Sequence, residues 1–260
     1  MKIRQILNKY LNSHRAAYIP FVPAGDQDME TTMRLIVELD KLGADIIELG
    51  VPFSDPVADG PTIAQSYERA LKNNVTLLDC IALVKKLRTG GCHIPLVLFS
   101  YLNPIIQLGQ EKFAKLCAEA GINSVLLVDL PAEESQEMVQ ILKNHGIGII
   151  LLVSPTTTTD RLNLICDQNP DFIYYISRKG VTGSQTELSS SLASEVAAIK
   201  RVTDIPVAVG FGISSKEQVA LIAGMAEGYV VGSALVDCLR DGDKTTAQAN
   251  FLERAKSLRI

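Results

Sequence analysis

A chain of 260 residues at 28.2 kDa leaves one large domain or two smaller ones open. Hydrophobic residues make up 47% and charged ones 21%, a balance that supports a sizeable core and excludes disordered, collagenous and coiled-coil chains. Twenty-five Lys and Arg against 29 Asp and Glu give a net charge of −4 with no basic block, so nucleic acid and anionic membrane are poor partners.

The first residues, Lys2–Leu11, read as a helix, and MKIRQILNKYLNSHR lacks the apolar stretch of a signal peptide. Short apolar runs follow, and strands are expected at Tyr18–Pro23, Asp45–Val51, Pro95–Tyr101, Ser124–Asp129, Ile147–Val153, Phe172–Ser177, Pro206–Gly210 and Gly228–Gly232. Most are near-continuous rather than alternating, as in parallel strands covered by helices. Between them lie helical patterns at Met29–Leu42, Pro61–Lys72, Thr76–Leu87, Glu111–Ala120, Ala132–His145 and Ser189–Val202, with Thr246–Leu258 closing the chain. Gly43, Gly121 and Gly146 each follow a helix, the usual C-cap choice. Eight β-then-α units without a linker argue for an α/β fold, a single (β/α)8 TIM barrel over residues 1–260, with an extra N-terminal helix capping its bottom and extra helices in the βα loops. An open doubly wound sheet is the alternative, but the GxGxxG turn it wants after its first strand is missing.

The longest apolar run, Gly146 to Val153, is far short of the ~18 residues needed to span a bilayer, and a soluble cytoplasmic chain is expected. Five cysteines (Cys80, Cys92, Cys117, Cys166, Cys238) form no CxxC pair, and with three distant histidines they propose no metal site. Free thiols packed as small hydrophobes are the plain reading.

Active sites of such barrels form at the C-terminal ends of the strands. Alternation along Ala44–Val51 puts Ile46, Glu48 and Gly50 on one face and Ile47 and Leu49 on the other. If Ile47 and Leu49 meet the helices, Glu48 points into the barrel mouth, where desolvation raises its pKa toward that of a general acid. The competing reading is a buried glutamate bonded to an arginine. Two further acids, Asp55 and Asp59, sit in the loop Pro52–Gly60 among turn residues, and either could be a helix cap or a solvated loop residue. Glycine turns in Gly210-Phe211-Gly212-Ile213 and Val231-Gly232-Ser233-Ala234 end the seventh and eighth strands, where bare amides suit an anion such as phosphate. A Gly-bearing polar loop, Ser177–Ser184, follows the sixth strand and has the make-up of a lid.

At these residues the chain resembles the family of tryptophan synthase α subunits, nearly end to end. The most specific stretch is Glu48–Pro61, supported by Phe21–Asp26, Tyr101–Pro104, Asp129–Pro131, Ser177–Gly183, Gly210–Ile213 and Val231–Ala234. The resemblance implies a barrel that cleaves indole-3-glycerol phosphate to indole and glyceraldehyde 3-phosphate within an αββα complex. Indole passes to a β subunit by an internal tunnel; pyridoxal phosphate belongs to that subunit, and the α chain carries no cofactor. It makes Glu48 the acid that protonates indole C3 and then deprotonates the adjacent hydroxyl. Asp59, kept ionised in a more polar loop, accepts the indole N–H. It places indole among Phe21, Phe99, Leu126 and Val128, lined by Tyr101 and Tyr174, and phosphate at Gly183, Phe211, Gly212, Gly232 and Ser233. Loops Pro52–Gly60 and Arg178–Ser190 close over substrate, with Thr182 bonding Asp59. Pro23, Gln27, Leu102 and Glu227 depart from the common family pattern, at positions that bear on pocket shape and the β interface rather than the reaction. Other readings are a catalytically idle chain that only activates β, a stand-alone lyase, and a different phosphate-binding barrel such as an epimerase or flavin enzyme. Idleness would be marked by loss of Glu48 or Asp59, and a metal epimerase by His at strand ends, where His14, His93 and His145 do not fall.

Overall fold

All eight expected runs are strands in the computed structural model, which describes residues 2–11, 13–176, 192–210, 212–240 and 242–260. They are β1 (Ala17–Pro23), β2 (Ile47–Gly50), β3 (Leu96–Ser100), β4 (Ser124–Leu127), β5 (Gly148–Val153), β6 (Ile173–Ile176), β7 (Val207–Gly210) and β8 (Gly228–Val231). Each pairs in parallel with its sequence neighbour, and β8 returns to β1, closing the barrel. The described helices are α1 (Ile3–Leu7), α2 (Met29–Lys41), α3 (Pro61–Lys72), α4 (Leu77–Thr89), α5 (Leu102–Leu108), α6 (Gln110–Ala120), α7 (Gln136–Asn144), α8 (Thr159–Asp167), α9 (Leu192–Lys200), α10 (Lys216–Ala223), α11 (Ser233–Val236) and α12 (Lys244–Ser257). Two extra helices, α3 and α4, fill the long β2–β3 connection as expected.

Strand parity divides the apolar residues into two cores. Ile19, Phe21, Val97, Phe99, Leu126, Ile150, Ala208 and Val230 point inward and pack on one another as the barrel filling. Their neighbours, such as Val22, Ile47, Leu49, Leu98, Val125 and Val209, point outward against helix residues including Leu35, Val84, Phe113 and Val219. Ile47 and Leu49 do meet the helices, so Glu48 faces in. At the N-terminal end, Ile3, Ile6 and Leu7 of α1 join the inner cluster and plug the barrel bottom. Tyr10 just beyond donates to Asp45 Oδ1 at 2.7 Å, while Asp45 Oδ2 accepts from the Tyr18 amide at 2.9 Å.

Helix boundaries follow local chemistry. Gly43 and Gly121 take φ of 82° and 81° after α2 and α6, a turn that a side chain resists. Thr76 and Asp79 form a reciprocal capping box on α4. The single helix expected over Ala132–His145 is broken: a 3-10 turn at Ala132–Glu134 precedes α7. Ser135 is the cause, because its buried hydroxyl bonds Ala132 O and Gln168 Oε1, and Gln168 Nε2 returns to Ala132 O. Helices α5 and α10, of seven and eight residues, are too short to stand out by periodicity. All five cysteines are free, three of them buried. None of the described helices is long and apolar enough to cross a membrane.

Candidate active site

Glu48 arises from β2 with its side chain turned into the barrel, and it is 2% exposed. Its register neighbours are Phe21 on β1 and Val97 on β3, both apolar. Among the described residues no cation pairs with it, and Oε1 is buried without a hydrogen-bond partner. The reading of a glutamate satisfied by an arginine finds no partner among the described residues. Burial, with a smaller push from the Asp59 charge, raises its pKa to about 8, so the carboxyl holds its proton at neutral pH.

Asp59 comes from the loop between β2 and α3. The N-cap of α3 is Gly60, with no side-chain cap bond and Pro61 in the first turn, so Asp59 is not a helix cap. Its Oδ2 instead accepts a hydrogen bond of 2.6 Å from the Tyr101 hydroxyl at the end of β3. Partial burial raises its pKa to about 6, held in check by that bond. Both carboxyls are pushed up, and Asp59, in the more polar loop, by less than Glu48. Asp55 stays exposed and accepts from Ser54 Oγ at 2.6 Å, as a solvated loop residue does.

One cavity of about 170 Å³ brings these groups together. Phe21, Phe99, Tyr174, Ile63 and Val230 form apolar walls, Glu48 and Asp59 supply the carboxyls, and Gly210, Gly212, Ile213, Gly232, Ser233 and Ala234 complete the lining. Two glycines make room for it. A Cβ on Gly50 would run into the Phe21 ring and the Tyr67 hydroxyl, and one on Gly210 would overlap the Tyr174 ring. Gly232 and Ser233 begin α11, whose first amides have no partners within the helix.

Three expected pocket residues, Leu126, Val128 and Tyr101, pack in the same inner cluster as Phe21 and Phe99 but are not part of this cavity's lining. Leu126 is fully buried in the barrel filling. Val128 lines a separate recess with Asp129, Leu130 and Arg161. Tyr101, 1% exposed, turns its hydroxyl to Asp59 and does not line the cavity. Thr182, Gly183 and Phe211 lie outside the described residues. Ile213 and Ala234 fall inside the two glycine turns read from sequence, while Ile63 and Val230 were not named as site residues; Val230 has the inward parity and strand-end position that flag it, whereas Ile63 reaches the cavity only through the packing of α3. The histidines stay away: His145 pairs with Glu111 at 3.0 Å on the surface. No grouping of His, Cys, Asp and Glu able to hold a metal exists among the described residues.

A closed parallel barrel with two environmentally separated carboxyls and a glycine-lined cleft at the ends of β7 and β8 belongs to the acid–base (β/α)8 enzymes. A family model for the tryptophan synthase alpha chain matches residues 7–259. The chain is 46% identical over 230 residues to the tryptophan synthase alpha chain of Thioalkalivibrio sulfidiphilus, covering 88% of this chain and 86% of that one. It is 47% identical over 225 residues to that of Geobacter sulfurreducens, covering 86% and 85%. A chain of the tryptophan synthase α2β2 complex from Pyrococcus furiosus superposes with a TM-score of 0.88 at 37% identity, covering 93% of this chain and 97% of that one. The α subunit from Legionella pneumophila does so at 0.87 and 33%, covering 99% and 98%. The chain belongs to the tryptophan synthase alpha chain family.

Proposed function

We infer that this chain is a lyase that cleaves indole-3-glycerol phosphate by a retro-aldol step to indole and glyceraldehyde 3-phosphate, in complex with a tryptophan synthase β subunit. The observation that carries the reading is the pair Glu48 and Asp59 in one cavity, with pKa values near 8 and 6. At neutral pH the first is an acid and the second a base, the division the reaction asks for.

Glu48 gives its proton to indole C3. The ring N–H, made acidic by the cationic ring, is held by the Asp59 carboxylate. Ionised Glu48 then takes the proton of the hydroxyl on the carbon attached to C3. As that oxygen forms the aldehyde carbonyl, the carbon–carbon bond breaks and its electrons return to the ring, releasing indole. Phe21, Phe99 and Tyr174 supply the apolar wall for the ring. The phosphate falls to the amides around Gly212, Gly232 and Ser233, with the expected contributions of Gly183 and Phe211 beside them. Thr182 is assigned to loop closure onto Asp59. The reading carries with it a cytoplasmic location and an α chain with no cofactor of its own, pyridoxal phosphate belonging to β.

Indole release from indole-3-glycerol phosphate, with and without β, tests the reading. Slow release alone that rises sharply with β is expected. Fast release alone points to an independent lyase, and none in either case to an idle partner. Glu48→Gln and Asp59→Asn should each fold and lose a factor of about 10²–10⁴ in kcat. Near wild-type turnover in both would overturn the acid–base assignment.

A further inference from the structure

We propose that Tyr101 is the positioning residue that makes Asp59, and not Glu48, the ionised member of the pair. The inference rests on the lyase reading above and assigns Tyr101 a role other than contact with the indole ring.

The two carboxyls share a cavity and differ in what bonds to them. Glu48 Oε1 has no donor, whereas Asp59 Oδ2 takes the Tyr101 O–H at 2.6 Å. A donor fixed on a carboxylate stabilises the charged form and does nothing comparable for the neutral acid. The hydroxyl is itself held in direction, since its oxygen accepts the Ala58 amide at 3.1 Å. That amide immediately precedes Asp59, so one oxygen grips the loop backbone and the reactive side chain together. The ring is equally fixed: Phe53, at the start of the same loop, stacks on it with centroids 4.7 Å apart and planes 24° apart. At the next residue, the Leu102 amide donates to Asp129 Oδ1 at 2.8 Å, which anchors the end of β3 to the β4 loop. Tyr101 is thus clamped from three sides with its proton aimed at Asp59.

Among the described residues, the other titratable groups facing Asp59 oppose its ionisation or are neutral. Glu48 comes from β2, Tyr67 from α3 and Tyr174 from β6, and burial pushes both tyrosines well above their ordinary range. Asp55 in the same loop is exposed and engaged with Ser54. Among these groups Tyr101 alone is seen donating a hydrogen bond to Asp59.

The experiment is the pH profile of kcat/KM for indole release by the full chain with saturating β subunit, for wild type and Tyr101→Phe. Carbon-13 NMR titration of the Asp59 carboxyl in the free chain accompanies it. Tyr101→Phe should move the acidic limb and the Asp59 titration up by about one pH unit and leave the alkaline limb in place. Activity then falls by about tenfold below pH 6 and recovers toward pH 8. Replacing Tyr101 by 3,5-difluorotyrosine keeps the ring and strengthens the donor, so the acidic limb should move down; this variant also serves if Tyr101→Phe fails to fold. A uniform loss across the pH range with both limbs unmoved would overturn the proposal and leave Tyr101 a loop tether. If wild type releases no indole, the lyase reading fails, while the Asp59 titration still decides the proposal.

Discussion

Glu48 is costly to keep in this barrel. A carboxyl without a partner in an apolar interior stays protonated, and its folded pKa of about 8 lies above the ordinary 4.5. Below about pH 4.5 both folded and unfolded chains carry the proton and there is no ionisation penalty. Between 4.5 and 8 the unfolded chain releases it while the folded one keeps it, so stability drops by about 1.4 kcal/mol per pH unit and levels off above 8. Glu48→Gln removes that dependence. The variant should be about 3 kcal/mol more stable than wild type at pH 7 and little different at pH 4, while losing activity. Urea unfolding at the two pH values checks it; an equal gain at both would mean that ionisation is not the source. The same residue, then, is retained against stability for its proton.

At the scale of elements, the site depends on how closely α3 packs on β2. Tyr67 of α3 is fully buried with its hydroxyl over Gly50, two residues along the strand from Glu48 and on the same inward face. Phe21 from β1 fills the other side and meets Phe99 edge-on at 5.5 Å. Gly50→Ala puts a methyl group 2.9 Å from the Tyr67 oxygen and closer still to the Phe21 ring. It should destabilise the protein by about 1–3 kcal/mol and push Phe21 into the cavity, raising KM. Unfolding midpoints and indole release measure the two effects, and an unchanged KM would show that Phe21 does not bound the substrate space. A second tie, the Asp26 carboxylate gripping Arg69 at 2.5 and 3.0 Å, joins the β1 loop to α3 on the same side of the mouth.

For the whole molecule, the barrel separates chemistry from stability by end. The carboxyls and the glycine turns gather where the strands finish, and α1 closes the place where they begin. Leu7, fully buried against the inner cluster, approaches Gly228 of β8 closely enough to limit side chains there. Leu7→Ala should cost about 3 kcal/mol by leaving a cavity at the bottom, with kcat unchanged at temperatures where the variant is folded. Equilibrium unfolding and indole release check this division. A large fall in kcat in the folded variant would mean that the two ends are coupled through the filling.

Much of this was legible in the linear chain because its causes are local or periodic. Runs of apolar residues set eight strands, glycines ended the helices, and two-residue alternation turned Glu48 inward once its neighbours met the helices. The resemblance then singled out Asp59 among acids that pattern alone treats as loop residues. What local pattern does not contain is contact between distant segments. Nothing near Ala132 in sequence announces that Ser135 will bond Gln168 and break a helix. The lining of the cavity likewise departs from expectation at Leu126, Val128 and Tyr101, because strand-end depth depends on barrel closure and not on residue type. Sequence pattern by itself determined the barrel, its parity and the inward turn of Glu48, since hydrophobic burial acts on every residue with a fixed period, and the resemblance supplied Asp59. Only the tertiary structure decided how those acids differ: one has Oε1 left without a donor among apolar strands and the other is tied to Tyr101, because the hydrogen bonds and desolvation that set a proton's affinity come from residues far apart in the chain.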